Sequence, residues 1–381
     1  MAALLTLKDL YDTILERAGQ STSDTTLIGF VTDWLNIRYK EICSLSTEWP
    51  FLTDHDTLAA IDEYTTGTVD ITTDTAAVTG SSTVWTKDMA DRKIHFDDEE
   101  PTIRIANVSS ATAITLAASY HGTTVDDGTY TIFKDEYLCP FTWEDIISMR
   151  AMREGRTLDK VGYRELFEEH PNPYASSSDP DRFAVFETRK LTKIGVDGYN
   201  LTYTIADIEK DHWFSGANGA YGWVKNAGTD AASNDYLVLQ ILYGSLVDNE
   251  KLTFYSDVAT TATGVTCLVN QASYTEGNVG DVLGVILNPA PYRNTLYECV
   301  VRLKPIDMSL TTDEPLIPQS YRDILFYLGL ADLYGYLDKT DKMQYFEAKG
   351  LGRLNQMAAR LKVRLGNRPR IRPAYKRRAY A

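Results

Sequence analysis

The groups in this chain that could carry chemistry are five histidines, four cysteines and a surplus of carboxylates, 53 Asp or Glu against 38 Lys or Arg. His55, His95, His121, His170 and His212 are scattered and read as surface or strand residues, not as bases or metal ligands. Cys43, Cys139, Cys267 and Cys299 stand far apart in no metal-like spacing, which suits reduced, buried thiols in a protein assembled in a cytoplasm. The run Asp97-Asp98-Glu99-Glu100 lacks the alternating ligand positions of a calcium loop and reads as a solvated turn. No glycine-rich phosphate loop, Gly-x-Ser-x-Gly elbow, His-Glu-x-x-His helix or paired Cys-x-x-Cys is present. Among so many carboxylates no pair stands out as a glycosidase dyad. An aromatic, Gly-rich loop with Trp213, Phe214, Tyr221 and Trp223 offers ring faces to a sugar or a partner, with buried or interface aromatics as the competing reading. The expectation is a protein that is not an enzyme and uses no cofactor or metal.

Charge points to a partner instead. The chain sums to −15, yet residues 348–381 hold eleven Lys or Arg and no acidic residue. The other 27 basic and 53 acidic side chains leave residues 1–347 at −26, against +11 for this ending. Such polarity marks a tail that meets an acidic partner or nucleic acid, and a solvated, disordered tail is the competing reading. Residues 366–381 include two prolines, Pro369 and Pro373, which favour an extended chain. Ile371, Tyr375 and Tyr380 give it more apolar surface than a purely solvating tail carries.

The elements that would position these groups follow from periodicity. Thr6 with Asp9 opens a helix with Leu7, Leu10, Tyr11, Ile14, Leu15 and Ala18 on one face, closed by Gly19. A second helix starts at Ser23 or Asp24 and carries Leu27, Phe30, Val31, Trp34, Ile37 and Ile42. It stops at Glu48-Trp49-Pro50-Phe51-Leu52, where Pro50 cannot continue a helix. From Asp54 the pattern changes to period two, in short Thr- and Val-rich runs broken by Gly, Ser and Asp, which predicts a small antiparallel β-barrel or sandwich. Thr142 with Asp145 predicts a return to helix through Ile146, Ile147, Met149 and Met152, and residues 170–180 read as a linker. From Arg182 the chain is β-rich again, up to a strand at Leu296–Leu303, which predicts a second β-domain of sandwich character. Ser320 with Asp323 predicts a helix apolar nearly all round, hence central and buried. Thr340 begins a longer helix with Met343, Phe346, Gly350, Leu354, Met357, Leu361 and Leu365 on one face and Gly366 at its end.

The expected fold class is α+β and multidomain: a discontinuous α-helical core bundle with two inserted antiparallel β-domains and an extended C-terminal arm. The expected segments are N-terminal core helices at 1–53, a small β-barrel or sandwich at 54–138, core helices and a linker at 139–180, and a second β-sandwich-like domain at 181–310. C-terminal core helices at 311–366 and a basic extended docking tail at 367–381 complete it. Residues 1–10 lack a basic lead and turn amphipathic, so they do not read as a signal peptide. No run reaches about 18 apolar residues, so no membrane span is expected.

In this order of parts the chain resembles the head-to-tail adaptor proteins of tailed bacteriophages, the head completion or neck connector proteins. Three segments carry the resemblance: the N-terminal helix pair closing on Glu48-Trp49-Pro50-Phe51-Leu52; Leu287-Asn288-Pro289-Ala290-Pro291 with the strand ending at Leu303-Lys304-Pro305; and Asp313-Glu314-Pro315-Leu316-Ile317-Pro318 leading into Tyr321-Arg322. The stretch from Val78 to Thr86, with Tyr120-His121-Gly122-Thr123, is similar to a β unit inserted in some phage neck proteins. Residues 191–281 depart from the compact adaptors.

The resemblance implies a structural virion protein in the neck, assembled in the host cytoplasm into a ring that is typically a dodecamer. Its implied partners are the portal protein, tail tube, nozzle or neck proteins, further copies of itself, and double-stranded DNA in passage. It also implies that the C-terminal arm docks on the portal. There Arg368, Arg370, Arg372, Lys376, Arg377 and Arg378 would pair with carboxylates while Ile371, Tyr375 and Tyr380 fill apolar clefts. Such an arm, 16 residues extended, spans up to about 50 Å. An acidic body lining a DNA passage would repel phosphate instead of gripping it through counterion release. Two other classes compete: a receptor- or carbohydrate-binding virion or tail protein, which would use the aromatic loop, and a nucleic-acid-binding protein, which would use the tail.

Overall fold

The computed structural model describes residues 6–96, 99–140, 142–169, 179–188, 191–200, 203–229, 234–256, 258, 262–271, 277–278 and 282–363. Helices α1 (Leu7–Ala18) and α2 (Thr25–Ser44) come first. Strands β1 (Thr53–Ala60), β2 (Thr68–Ile71), β3 (Ala77–Ser81), β4 (Lys93–Phe96), β5 (Glu99–Ser110), β6 (Ala113–Leu116), β7 (Val125–Gly128) and β8 (Tyr130–Phe133) follow. Next are β9 (Glu136–Leu138), β10 (Trp143–Ala151), β11 (Thr157–Lys160), the short helix α3 (Tyr163–Glu169), β12 (Arg182–Thr188) and β13 (Leu191–Asp197). The third run is β14 (Trp213–Gly216), β15 (Tyr221–Thr229), β16 (Asp235–Tyr243), β17 (Lys251–Tyr255), β18 (Ala262–Val269), β19 (Gly277–Asn278), β20 (Val282–Asn288) and β21 (Thr295–Leu303). Helices α4 (Asp323–Tyr336) and α5 (Thr340–Arg360) come last. Described residues up to Asp54 and from Leu303 onward form one compact unit, and His55–Arg302 form another.

In the helical unit the caps set the starts. Thr6 and Asp9 exchange side-chain-to-backbone bonds at 3.3 and 3.0 Å, a capping box, and Gly19 at φ 74° closes α1. Asp24 accepts from the Thr26 and Leu27 amides at 3.0 and 3.1 Å to start α2. α4 lies at the centre, with Ile324, Leu325, Phe326, Leu328, Leu330 and Leu333 all buried. Its expected Ser320 cap is absent: Gln319–Tyr321 form a 3-10 turn, and α4 begins behind Arg322 without a side-chain cap. Arg322 is buried and holds that turn, donating from Nε to the Ile317 carbonyl and from Nη2 to the Pro315 carbonyl, both at 3.1 Å. α5 ends at Arg360 with Lys362 at φ 56°, short of the expected Leu365, and Gly366 lies outside the described residues.

The β unit holds three seven-stranded sheets. One runs β1-β21-β10-β11-β12-β20-β9 and another β7-β2-β3-β6-β5-β4-β8. The third runs β16-β15-β14-β17-β18-β13-β19, and a β16–β13 pairing, with Leu191 opposite Gln240, closes six of its strands into a barrel. Phe214, Phe254, Leu237, Leu239 and Cys267 fill its core.

These sheets correct the expected fold class. The chain is mostly β, 39% strand and 27% helix, in three sheets that include a closed barrel and with five helices among the described residues. It is not a discontinuous α-helical core bundle carrying two inserted β-domains. The expected core helix after Thr142 is strand β10, which forms a hairpin with β11 in which Met149 faces Leu158. Its buried residues, Trp143, Ile146, Met149 and Ala151, fall three, three and two apart, a spacing that imitates a helix face. Cross-strand packing overrides the local pattern, and Asp145 pairs with Lys160 at 2.7 Å instead of capping. The β residues do not divide into two separate domains, because β12, β20 and β21 share a sheet with β1, β9, β10 and β11. Of the expected linker, residues 170–178 lie outside the described residues, while Asp179 is held by Arg293 at 3.1 Å. Within the β-rich stretch after Arg182, Ile205–Asp207 form a 3-10 turn with its own capping box between Thr204 and Asp207.

Candidate interaction surface

The aromatic stretch of the β unit is a hairpin, not a loop. β14 pairs with β15, Trp213 opposite Trp223 and Ser215 opposite Tyr221, and Gly219 at φ 93° turns the chain between them. Trp213 stacks on Tyr221 at 5.5 Å and meets Trp223 edge to face at 4.9 Å, and Tyr221 stacks on Tyr243 at 5.5 Å. Trp213, Phe214 and Tyr221 are buried. Trp213 and Tyr221 also belong to the apolar core that lies under β2 to β8, where the Tyr221 hydroxyl donates to Asn107 Oδ1 at 2.7 Å. The row of rings thus joins the barrel to its neighbouring sheet, and rings whose faces are taken by other rings leave little for a sugar.

A charged cluster on β4 and β5 is also structural. Lys93 of β4 reaches Asp135 at 2.6 Å and Glu136 at 3.2 Å, and Arg104 of β5 reaches Glu136 at 2.9 Å and also pairs with Asp91. Burial pushes the Asp135 carboxyl up while Lys93 draws it down. Burial draws Lys93 down as well, but the two carboxylates outweigh it and leave the amine raised. Beside this clamp the Lys134 amine falls to about 8, through burial first and then through Arg92 and Lys225.

The remaining candidates do not gather. His55 is exposed on β1, His95 lies on β4, His121 faces Asp74 at 2.8 Å on the surface, and His212 Nδ1 accepts from the Glu209 amide at 3.1 Å. His170, Asp97 and Asp98 lie outside the described residues, as do the side chains of Glu99 and Glu100. The four cysteines are buried and none is in a disulfide, and burial pushes the thiols of Cys139, Cys267 and Cys299 up. Among the described residues no group of three or more His, Cys, Asp or Glu is placed to hold a metal ion, and no helix is long and apolar enough to cross a membrane.

The helical unit, by contrast, shows aromatic rings to water. α2 is apolar on two sides: Val31, Leu35, Tyr39, Ile42 and Cys43 face the core, Trp34 is partly buried against it, and Phe30 and Ile37 stand outside. Phe30 is 40% exposed and Ile37 54%. Phe30 and Trp34 stack at 6.1 Å, and Tyr336 at the end of α4, 56% exposed, closes on them at 5.8 and 5.9 Å. Beneath, Arg38 grips Asp332 through two bonds at 2.8 and 2.6 Å, which fixes α2 against α4 and holds the guanidinium above its ordinary value. Phe30, Ile37 and Tyr336 thus leave apolar surface exposed beside the partly buried Trp34.

The arm residues expected to dock, Arg368, Arg370, Ile371, Arg372, Tyr375, Lys376, Arg377, Arg378 and Tyr380, lie outside the described residues. The Phe30–Trp34–Tyr336 surface was not expected from the sequence, which gives Phe30, Trp34 and Ile37 together with Leu27, Val31 and Ile42 as the apolar residues of α2 without separating an outer side. The signal was the number of apolar residues on α2, more than one face of a helix holds. No protein-family model matches the chain, and no curated protein matches it.

Proposed function

We propose that the chain is a structural virion protein, a ring-forming adaptor that joins a phage portal to the tail around the DNA passage and docks to the portal through its basic ending. The observation that carries this reading is the charge polarity: residues 348–381, at +11, begin on α5 and run past its end, while residues 1–347 stand at −26. Two segments of the resemblance also meet in one core. Trp49 and Leu52 from the first pack with Ile317 and Tyr321 from the third, and the Trp49 indole donates to the Ile42 carbonyl at 2.9 Å. The adaptor's task would be mechanical. Guanidinium groups in that basic ending would give bidentate, directional pairs with carboxylates of the portal, and the tyrosines between them would add apolar anchors. The acidic remainder would keep passing duplex from adhering.

Deleting residues 367–381 tests this reading. The shortened protein keeps its melting temperature and loses attachment to purified portal in co-sedimentation and negative-stain images. Unchanged attachment would overturn the docking role. Salt-dependent retention of DNA by the full chain, lost on the same deletion while portal binding persists, would favour nucleic-acid binding instead.

A further inference from the structure

The helical unit presents two outer faces of opposite character. On one, Phe30, Trp34 and Ile37 of α2 lie with Tyr336 of α4, and exposed acids Asp33, Glu41 and Asp338 stand on the same two helices and the turn after them. On the other, α5 shows Lys342, Tyr345 and Lys349, three and four apart on one side of the helix, with Tyr345 61% exposed. The faces point in different directions. Tyr336 meets Phe30 and Trp34 of α2, whereas Tyr334 stacks on Phe346 of α5 at 5.6 Å, and two residues along a helix turn by about 200°.

Their charges are complementary. Lys342 and Lys349 lie over the rings of Tyr334 and Tyr327, at 5.2 and 4.4 Å, and take no carboxylate partner among the described residues. Asp33 and Asp338 likewise take no cation there, while Glu41 is shared with Arg38 at 2.9 Å. Asp341 sits in the first turn of α5, where it serves the helix N-terminus. With Lys40 paired to Asp307 at 2.7 Å and Asp341 in the first turn of α5, each face keeps an excess of one sign, so either face meeting itself would bring like charges together, which disfavours a two-fold pair.

We infer that copies of this chain join head to tail, the Phe30–Trp34–Tyr336 face of one copy receiving the Lys342–Tyr345–Lys349 face of the next. A contact between two different surfaces leaves one of each kind free at the ends, so it propagates and closes into a ring when the rotation per step allows. The inference rests on the ring-forming reading above and names the surfaces that would build the ring.

Two surface variants of the full chain, Ile37→Glu and Tyr345→Glu, test it by native mass spectrometry and sedimentation, with circular dichroism and melting temperature as controls of the fold. Each variant alone needs at least about tenfold more protein to assemble than the wild type, because a charge is placed in an apolar contact. An equimolar mixture forms heterodimers that stop at two copies, since each variant supplies one intact face. Folded, monomeric variants that give no heterodimer would overturn the head-to-tail contact. Variants that assemble like the wild type would overturn these faces while leaving the ring reading standing, and a wild type that stays monomeric at every concentration, alone and with portal, would overturn both.

Discussion

The side-chain amide of Asn36 brackets the backbone of Met308: Nδ2 donates to the Met308 carbonyl at 3.0 Å and Oδ1 accepts from the Met308 amide at 2.9 Å. One side chain of α2 thereby does what a neighbouring strand would do for the returning chain, just where it re-enters the helical unit. The same return is fixed at Leu316, whose amide donates to the Tyr39 hydroxyl at 3.1 Å, and at α1, where the Leu7 amide donates to the Asp313 carbonyl at 2.8 Å. Replacing Asn36 with Leu leaves both Met308 groups without a partner and is expected to destabilise the fold by about 1–3 kcal/mol. Asn36→Asp, which keeps only the acceptor, should fall between the two. Urea unfolding with an unchanged slope reads the difference, and a Leu variant as stable as the wild type would show that the bracket is incidental.

Gly329 of α4 sets the second constraint. A Cβ there would stand 2.8 Å from Ile14 Cδ1 of α1 and 3.1 Å from Leu35 Cδ2 of α2, both fully buried. Gly329→Ala gains about 0.5–1 kcal/mol of helix propensity and loses about 1–3 kcal/mol to overpacking, so the expected sign is destabilising. Ile14→Val in the same chain relieves the nearest contact and should recover part of the loss. A double-mutant cycle on the urea midpoints measures that coupling, and additive effects would remove the proposed collision.

How much of this was legible in the residues depends on how local each determinant is. Thr6 with Asp9, Asp24 and Gly19 act within a turn of their own helix, and each caps where its spacing says. The buried all-round α4 is announced by its composition in the same way. Thr142 with Asp145 carries a comparable signal and gives a strand, because the side chains that decide lie elsewhere: Asp56, which accepts from the Trp143 indole at 3.2 Å, and Lys160, which takes Asp145. Closure of the barrel depends on β13 finding β16, a register that no local spacing encodes. On the surface, Phe30 and Ile37 of α2 with Tyr336 form a group that is chemically like the core. Only the three-dimensional fact that Val31, Leu35 and Tyr39 already fill the core leaves it outside.

Lys134 supplies a pH signature. Its amine falls to about 8 in the folded chain from an ordinary value of 10.5, through burial and the nearby Arg92 and Lys225. Between those two values the unfolded chain binds the extra proton, so this group makes stability rise with pH across about 8 to 10.5. Below about 8 both states are protonated and the full penalty of holding a charged amine there is present. Lys134→Met is therefore expected to stabilise the protein at pH 7 by about 1–2 kcal/mol, a figure kept below the full shift because the side chain retains some contact with water. The gain should shrink toward zero by pH 10.5. Urea midpoints for variant and wild type at pH 7 and pH 10 give the comparison, and the difference isolates this lysine from the tyrosines and thiols that titrate in both. A Met variant less stable at pH 7, or one whose gain is the same at both pH values, would mean that the amine is held by contacts that compensate its burial.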